Sequence, residues 1–223
     1  MIVALVSQKG GVGKSTLAVA IAWELQARGD RVLVVDADPQ GTVRVTGEVA
    51  TERGAAAPSI VALGRDMYRP DQLPLLAQNF DHVVIDTPGR LGDVQRAALM
   101  VADLAVIPVG QSAADAWGIT DTIELVKQAQ TLRPEMRVAL VITRKLPRTA
   151  LGRNARDALV ASGFEILSAE TTYRVAWQEA LAAGLGPAQY APRDKAGIEV
   201  RTLVDELSTL TSYETPQRSV AHG

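Results

Sequence analysis

The stretch QKGGVGKST, residues 8–16, decides how the rest of the chain is read. A phosphate-binding loop reads G-x-x-x-x-G-K-[ST], and Gly13-Lys14-Ser15 fills the end of that pattern. The first glycine belongs at position 8, where Gln8 stands instead, followed by a second lysine, Lys9. Glycines 10, 11 and 13 let backbone N–H groups turn toward an anion with no side chain in the way. The flanks fit the loop. Ile2–Val6 is apolar on both faces, as a buried strand is, and Leu17, Ala18, Ile21, Ala22 and Leu25 recur at helical spacing until Gly29 stops them. A helix opening near Lys14 adds its N-terminal dipole to the cradle. A glycine-rich turn that binds nothing is the alternative, and the strand, loop, helix order argues against it.

Outward from the loop, Val32–Val35, Val83–Ile85, Leu104–Val109 and Val138–Ile142 are also continuously apolar. Unbroken rather than alternating apolarity marks strands covered on both faces of a parallel sheet. Ile119, Ile123, Val126 and Ala129 form a further helical stripe. Strands alternating with helices imply an α/β layered fold, a mostly parallel central sheet with helices on both faces; the glycine loop after the first strand makes the expected type a single-domain P-loop NTPase. Residues 42–80 are weakly patterned; TERGAAAPS at 51–59 reads as a loop, with short helices around it. The expected organisation is one domain over 1–211 and a flexible tail over 212–223, with no helix-turn-helix domain ahead of the first strand.

Two acidic segments accompany the loop. In VLVVDADPQG, residues 32–41, Asp36 and Asp38 stand at a strand's C-terminal end, where α/β sheets place ligands. They could instead cap a turn ahead of Pro39. In HVVIDTPG, residues 82–89, Asp86 ends an apolar strand, the Walker B arrangement for holding Mg²⁺. Lys14 would neutralise the β- and γ-phosphates, and the Ser15 hydroxyl would ligate Mg²⁺.

Composition sets bounds. The chain has 223 residues, 47% of them hydrophobic, and a net charge of −2, so nucleic-acid binding would need a local basic patch. It has no cysteine, which excludes thiolate-held zinc and iron–sulfur clusters and fits a reducing cytoplasm. No apolar run reaches membrane-spanning length.

KGGVGKST at 9–16, DADPQG at 36–41 and VVIDTPG at 83–89 together resemble the ParA/MinD family of deviant Walker A ATPases. VADLAVIPV at 101–109 looks like the family's next strand, and VITRK at 141–145 like the strand whose end lies near the base. The resemblance implies an Mg²⁺-dependent ATPase that forms an ATP-dependent homodimer. Lys9 would be the signature lysine, reaching across the interface to the partner's phosphates and offsetting the repulsion between two facing nucleotides. It further implies that Gly10, Gly11, Val12, Gly13, Lys14, Ser15, Thr16, Thr143 and Arg144 bind nucleotide. Ser15, Asp36 and Asp86 would support the metal, and Asp38 would position the attacking water.

Within that family, the missing cysteines speak against iron-protein relatives and arsenite-pump ATPases. The tail carries Arg218 as its only Lys or Arg, beside Tyr213 and Val220, and is not expected to form the basic amphipathic helix of MinD; no stable membrane association is expected. The short plasmid partition ATPases similar to ParF remain, and ITRKLPRTALGRNARDAL at 142–159 strengthens that comparison. Those proteins bind DNA without sequence preference and are stimulated by a ParB-like adaptor. Arg137, Arg144, Lys145, Arg148, Arg153 and Arg156 lie within 136–156 with no acid between them, and Lys145, Arg148, Arg153 and Arg156 are the expected DNA contacts. A solvated basic face is the alternative. The expected role is DNA segregation on the nucleoid. Positioning of a protein cargo such as a carboxysome or chemoreceptor cluster, a MinD-like membrane regulator, and a metabolic relative such as dethiobiotin synthetase are the competing readings. Trp23, Trp117 and Trp177 are expected to be packing residues.

Overall fold

The computed structural model describes residues 1–90, 92–112, 115, 118–146, 156–157 and 159–212. Its strands are β1 (Ile2–Leu5), β2 (Val32–Asp36), β3 (Ser59–Ala62), β4 (His82–Asp86), β5 (Leu104–Val109), β6 (Arg137–Lys145) and β7 (Glu165–Thr172). Among the described residues they form one sheet in the order β3-β2-β4-β1-β5-β6-β7. Every neighbouring pair is parallel, as the expected fold class requires.

The period of two along β1 shows why its sequence is apolar throughout. Val3 and Leu5 face one core and Ala4 and Val6 the other. The first face is covered by α1 (Lys14–Ala27) and by α8 (Lys195–Ser212). Two short helices, α6 (Val175–Ala182) and α7 (Pro187–Tyr190), complete it through Trp177 and Ala188. The second face is covered by α4 (Gly92–Leu99) and α5 (Thr120–Leu132), with Leu73 from α3 (Leu73–Ala77). The expected stripe on α1 is too narrow. Val19, Ala20 and Trp23 are buried as well as Leu17, Ala18, Ile21, Ala22 and Leu25, because α1 has the sheet on one side and α8 and the short helices on others. Gly29 ends it with φ 100°, a left-handed conformation that glycine adopts without steric cost.

Two strands escape the apolar pattern, and both are sheet edges. β3 is only partly buried, and β7 alternates as EILSAETT. The weakly patterned region 42–80 contains α2 (Thr42–Glu52), a loop at 55–58 and then β3. α8 runs through Ser212, and the rest of the expected tail lies outside the described residues. No helix among the described residues is long and apolar enough to cross a membrane.

Candidate functional site

The chain leaves the C-terminal end of β1 and reverses direction in the sheet there, since β2 and β5 lie on opposite sides of β1. Such a switch point opens a crevice above the strand ends. The glycine loop fills it. Gly11 and Gly13 have φ of 75° and 90°, and a Cβ added at Gly10, Gly11 or Gly13 meets no atom within 4 Å. The loop therefore presents open space on its glycine side while its other side is tied down. Gln8 N–H donates to Thr122 Oγ1 of α5 at 3.0 Å. Buried Thr143, near the end of β6, holds the Val12 carbonyl at 2.9 Å and the Val109 carbonyl at 3.2 Å. Thr143 thus clamps the loop to the sheet through its hydroxyl.

A cleft of about 390 Å³ runs along this loop. Gly10, Gly11, Gly13, Lys14, Ser15, Thr16, Asp38, Thr143 and Arg144 line it, joined by Thr171, Thr172, Tyr173 and Arg174 at the end of β7. Those β7 residues carry no motif and were invisible to sequence reasoning. Glu199 of α8 fixes them, accepting from Thr172 N–H at 3.0 Å and from Thr172 Oγ1 at 2.6 Å. Trp177 does pack in the core, as expected, and also lines the cleft; Trp117 lies outside the described residues.

The floor of the cleft is charged and poorly compensated. Lys14 is buried, and desolvation pushes its ammonium below the ordinary value, opposed by the Asp86 and Asp38 carboxylates. Asp86 is fully buried, and no donor among the described residues meets either of its oxygens in hydrogen-bond geometry. Burial pushes its carboxyl up to about 7; the Ser15 hydroxyl and Lys14 oppose that shift, and Asp36 and Asp38 add to it. Orphaned carboxylate oxygens beside a serine hydroxyl fit a hard divalent cation. No group of three His, Cys, Asp or Glu placed to hold a metal occurs among the described residues. An ion here would complete its shell with phosphate oxygens and water, as Mg²⁺ commonly does.

Asp36 stands opposite Asp86 in the sheet register but does another job. Its oxygens accept from Asp38 N–H at 3.3 Å and Arg44 N–H at 2.9 Å, which ties β2 to the first turn of α2. Asp38 lines the cleft, one oxygen accepting from Gln40 N–H at 2.9 Å.

Lys9 sits on the rim. Its ammonium pairs with Asp115, 106 positions away in sequence. Asp115 is itself held by Ser112, whose N–H and hydroxyl donate to it at 3.1 and 2.6 Å. Burial alone would raise the Asp115 carboxyl; Lys9 and Ser112 outweigh that and hold it below its ordinary value. Arg144, at φ 55°, donates to the Gly11 carbonyl and stacks 5.5 Å from the Tyr173 ring centroid.

The basic stretch is less free than its composition suggests. Lys145 and Arg156 both pair with Glu170 of β7, and Arg156 also donates to the Ile166 carbonyl at 3.0 Å. Part of their charge is offset by an acid remote in sequence, which the count over 136–156 could not include. Arg148 and Arg153 lie outside the described residues.

A parallel sheet with a glycine cradle, a buried lysine and an orphaned carboxylate at its switch point defines a nucleotide-binding protein. The chain belongs to the CobQ/CobB/MinD/ParA nucleotide binding domain family, whose model matches residues 3–188. It is 32% identical to "Maintenance of carboxysome distribution protein A" of Halothiobacillus neapolitanus over 92% of this chain and 94% of that one. It is 28% identical to "Chromosome-partitioning ATPase Soj" of Thermus thermophilus, again over 92% and 94%. Among solved structures, a McdA–ATP complex from Cyanothece superposes with a TM-score of 0.76 at 17% identity, covering 93% of this chain and 96% of that one.

Proposed function

We propose that the chain is an ATP-hydrolysing positioning switch that forms a dimer when loaded with ATP and Mg²⁺, rides on DNA without sequence preference, and is triggered to hydrolyse by an adaptor on its cargo. The observation that carries this reading is the pair of lysines: Lys14 buried beside the orphaned Asp86, and Lys9 on the rim, ion-paired within its own chain. In this reading Gly10 to Thr16 cradle the phosphates. Lys14 neutralises their charge, and Ser15 with Asp86 hold Mg²⁺, which supplies further charge neutralisation when bound. Asp38 orients the water that attacks the γ-phosphate. Lys9 leaves Asp115 to reach the partner's nucleotide, so dimerisation reads ATP against ADP. Asp36 supports the metal only through the turn it holds. Thr143 serves the nucleotide by fixing Val12, and Arg144 by bracing Gly11.

DNA is the expected track, and its contacts fall to Arg148 and Arg153 more than to Lys145 and Arg156, which Glu170 engages. The cargo is a plasmid or chromosome region bound by a ParB-like adaptor, which places the protein on the nucleoid in the cytoplasm. A second reading, a protein-assembly cargo, draws support from the 32% identity to a carboxysome distribution protein along nearly all of both chains.

The test is binding of the purified chain to a random-sequence duplex at one salt concentration, with Mg²⁺ and either ATP or ADP, with sedimentation run in parallel. Dimers and DNA binding with ATP alone are expected. Dimers without DNA binding would remove the track, and monomers throughout would remove the switch. The cargo readings part on whether the partner that raises hydrolysis is a sequence-specific DNA binder or a protein-assembly adaptor.

A further inference from the structure

Gln95 of α4 is fully buried, yet it carries an amide where a leucine or methionine would fill the same space without desolvating polar atoms. Its two N–H groups go to two different loops. Nε2 donates to the Ser7 carbonyl at 3.1 Å and to the Pro88 carbonyl at 2.5 Å. Ser7 is the buried residue at which β1 passes into the glycine loop, and Pro88 lies two residues beyond Asp86. No donor among the described residues meets Gln95 Oε1, so the side chain is fixed by its donating end alone.

The turn it grips lies against the phosphate loop. Thr87 Oγ1 donates to the Leu5 carbonyl at 2.6 Å. A Cβ added at Gly89 would sit 3.6 Å from Lys14 Nζ and 3.7 Å from the Gly10 backbone. Several side chains stitch the loop to its surroundings, among them Thr122 on Gln8, Thr143 on Val12, Arg144 on Gly11 and Gln95 on Ser7. Of these four, Gln95 also holds the turn that follows Asp86.

We propose that Gln95 is a positioning residue of the ATPase site: it clasps the Asp86–Gly89 turn to the base of the phosphate loop. This rests on the ATP reading above. The physical reason is geometric. The separation of Asp86 from Ser15 and Lys14 is set by how β4's terminal turn sits on the end of β1, and Gln95 bridges those two segments with one rigid amide. A nucleoside diphosphate, gripped by Gly10–Thr16, does not need the turn; chemistry at a γ-phosphate does.

The test compares Gln95→Met and Gln95→Glu with wild type. Methionine keeps volume and loses both donors. ADP affinity is expected to hold within about twofold. Turnover of Mg-ATP falls on the order of tenfold with KM little changed, since small misplacements act on the reacting centre first. In Gln95→Glu an ionised carboxylate faces two carbonyls with no donor to offer, and burial raises its pKa. Its turnover relative to wild type therefore recovers as pH falls from about 8 to 6, when one O–H donor returns. Variants that turn over like wild type, that lose ADP affinity in step with turnover, or that both fail to fold overturn the proposal and leave Gln95 a core hydrogen-bonding residue. Wild-type affinities, read first, separate the two ideas: absence of any nucleotide binding sinks the ATP reading itself, whereas wild-type binding with unaltered variant kinetics sinks only the clasp.

Discussion

The two ends of the sheet treat charge in opposite ways. At the N-terminal ends of β2 and β4, Asp81 takes three hydrogen bonds from Arg31, at 2.9, 3.1 and 2.8 Å. Beside them, Asp103 accepts the Ile2 N–H at 2.7 Å, and the Arg133 guanidinium caps the carbonyls of Met100 and Ala102. At the C-terminal ends, Asp86 is buried, no donor among the described residues meets either of its oxygens in hydrogen-bond geometry, and Lys14 is buried beside it. A buried charge without a partner is among the costlier things a fold can contain. One end of the sheet is therefore finished in its carboxylates, although His82 Nδ1 there is buried with no hydrogen-bond partner among the described residues, and the other end is held ready for a ligand.

The sharpest way to break this contrast is Asp86→Asn. If the orphaned carboxylate exists for a cation and phosphates, hydrolysis of Mg-ATP should fall on the order of 100-fold or more. The apo protein should melt no lower than wild type, and by relief of desolvation about 1–3 kcal/mol more stably. A variant that is both inactive and clearly less stable would mean that Asp86 has a structural partner in the folded protein.

Thr143→Val separates clamp from ligand contact. Its hydroxyl holds two buried carbonyls, so removal should cost about 1–2 kcal/mol, seen as a drop of a few degrees in melting temperature. Nucleotide affinity should fall along with it. Lower affinity at unchanged melting temperature would show that Thr143 touches nucleotide rather than the loop.

How much of this was legible beforehand depends on where each feature's cause lies. The loop, β1, β2, β4, β5 and β6 were readable because burial on both faces writes itself locally as unbroken apolar runs. β3 and β7 were not, because an edge strand has no such run to show. Lys14, Ser15 and Asp86 were readable as motif; Lys14 and Ser15 line the cleft, and Asp86 is buried next to them. Gln95, Thr122 and Glu199 were not, since each acts through a backbone group remote in sequence. Asp36 looked like Asp38 two positions on, and only the hydrogen bond to Arg44 N–H distinguishes the turn-holder from the residue lining the cleft. The pairing of the basic stretch was hidden for the same reason: Glu170 engages Lys145 and Arg156 from a strand the sequence did not reveal.

Between the paired end and the orphaned floor lies the rim, where Lys9 pairs with Asp115. Partly exposed pairs contribute about 0.2–1 kcal/mol, enough to bias an equilibrium without locking it. Asp115→Asn should then remove this ion pair at little structural cost and lower the ATP concentration at half-dimerisation by up to about fivefold, with a smaller effect at high salt. Sedimentation across an ATP titration reads it. An unchanged midpoint would mean that the pair does not compete with dimerisation.

The smallest effect is expected at the finished end. Hydrogen bonds from Arg31 hold the Asp81 carboxyl well below its ordinary value of 3.8. A carboxyl whose folded pKa is depressed stabilises the fold above its unfolded value, and that contribution fades as pH falls through the folded value. Asp81→Asn should therefore leave nucleotide binding untouched at neutral pH and flatten the acid limb of the stability curve below about pH 4. The pair is solvent-exposed, so the change should be slight and should shrink with added salt. Melting temperatures of the two proteins across the acid range measure it. A loss of nucleotide affinity in this variant would show that the two ends of the sheet are coupled, and the division of labour between them would have to be redrawn.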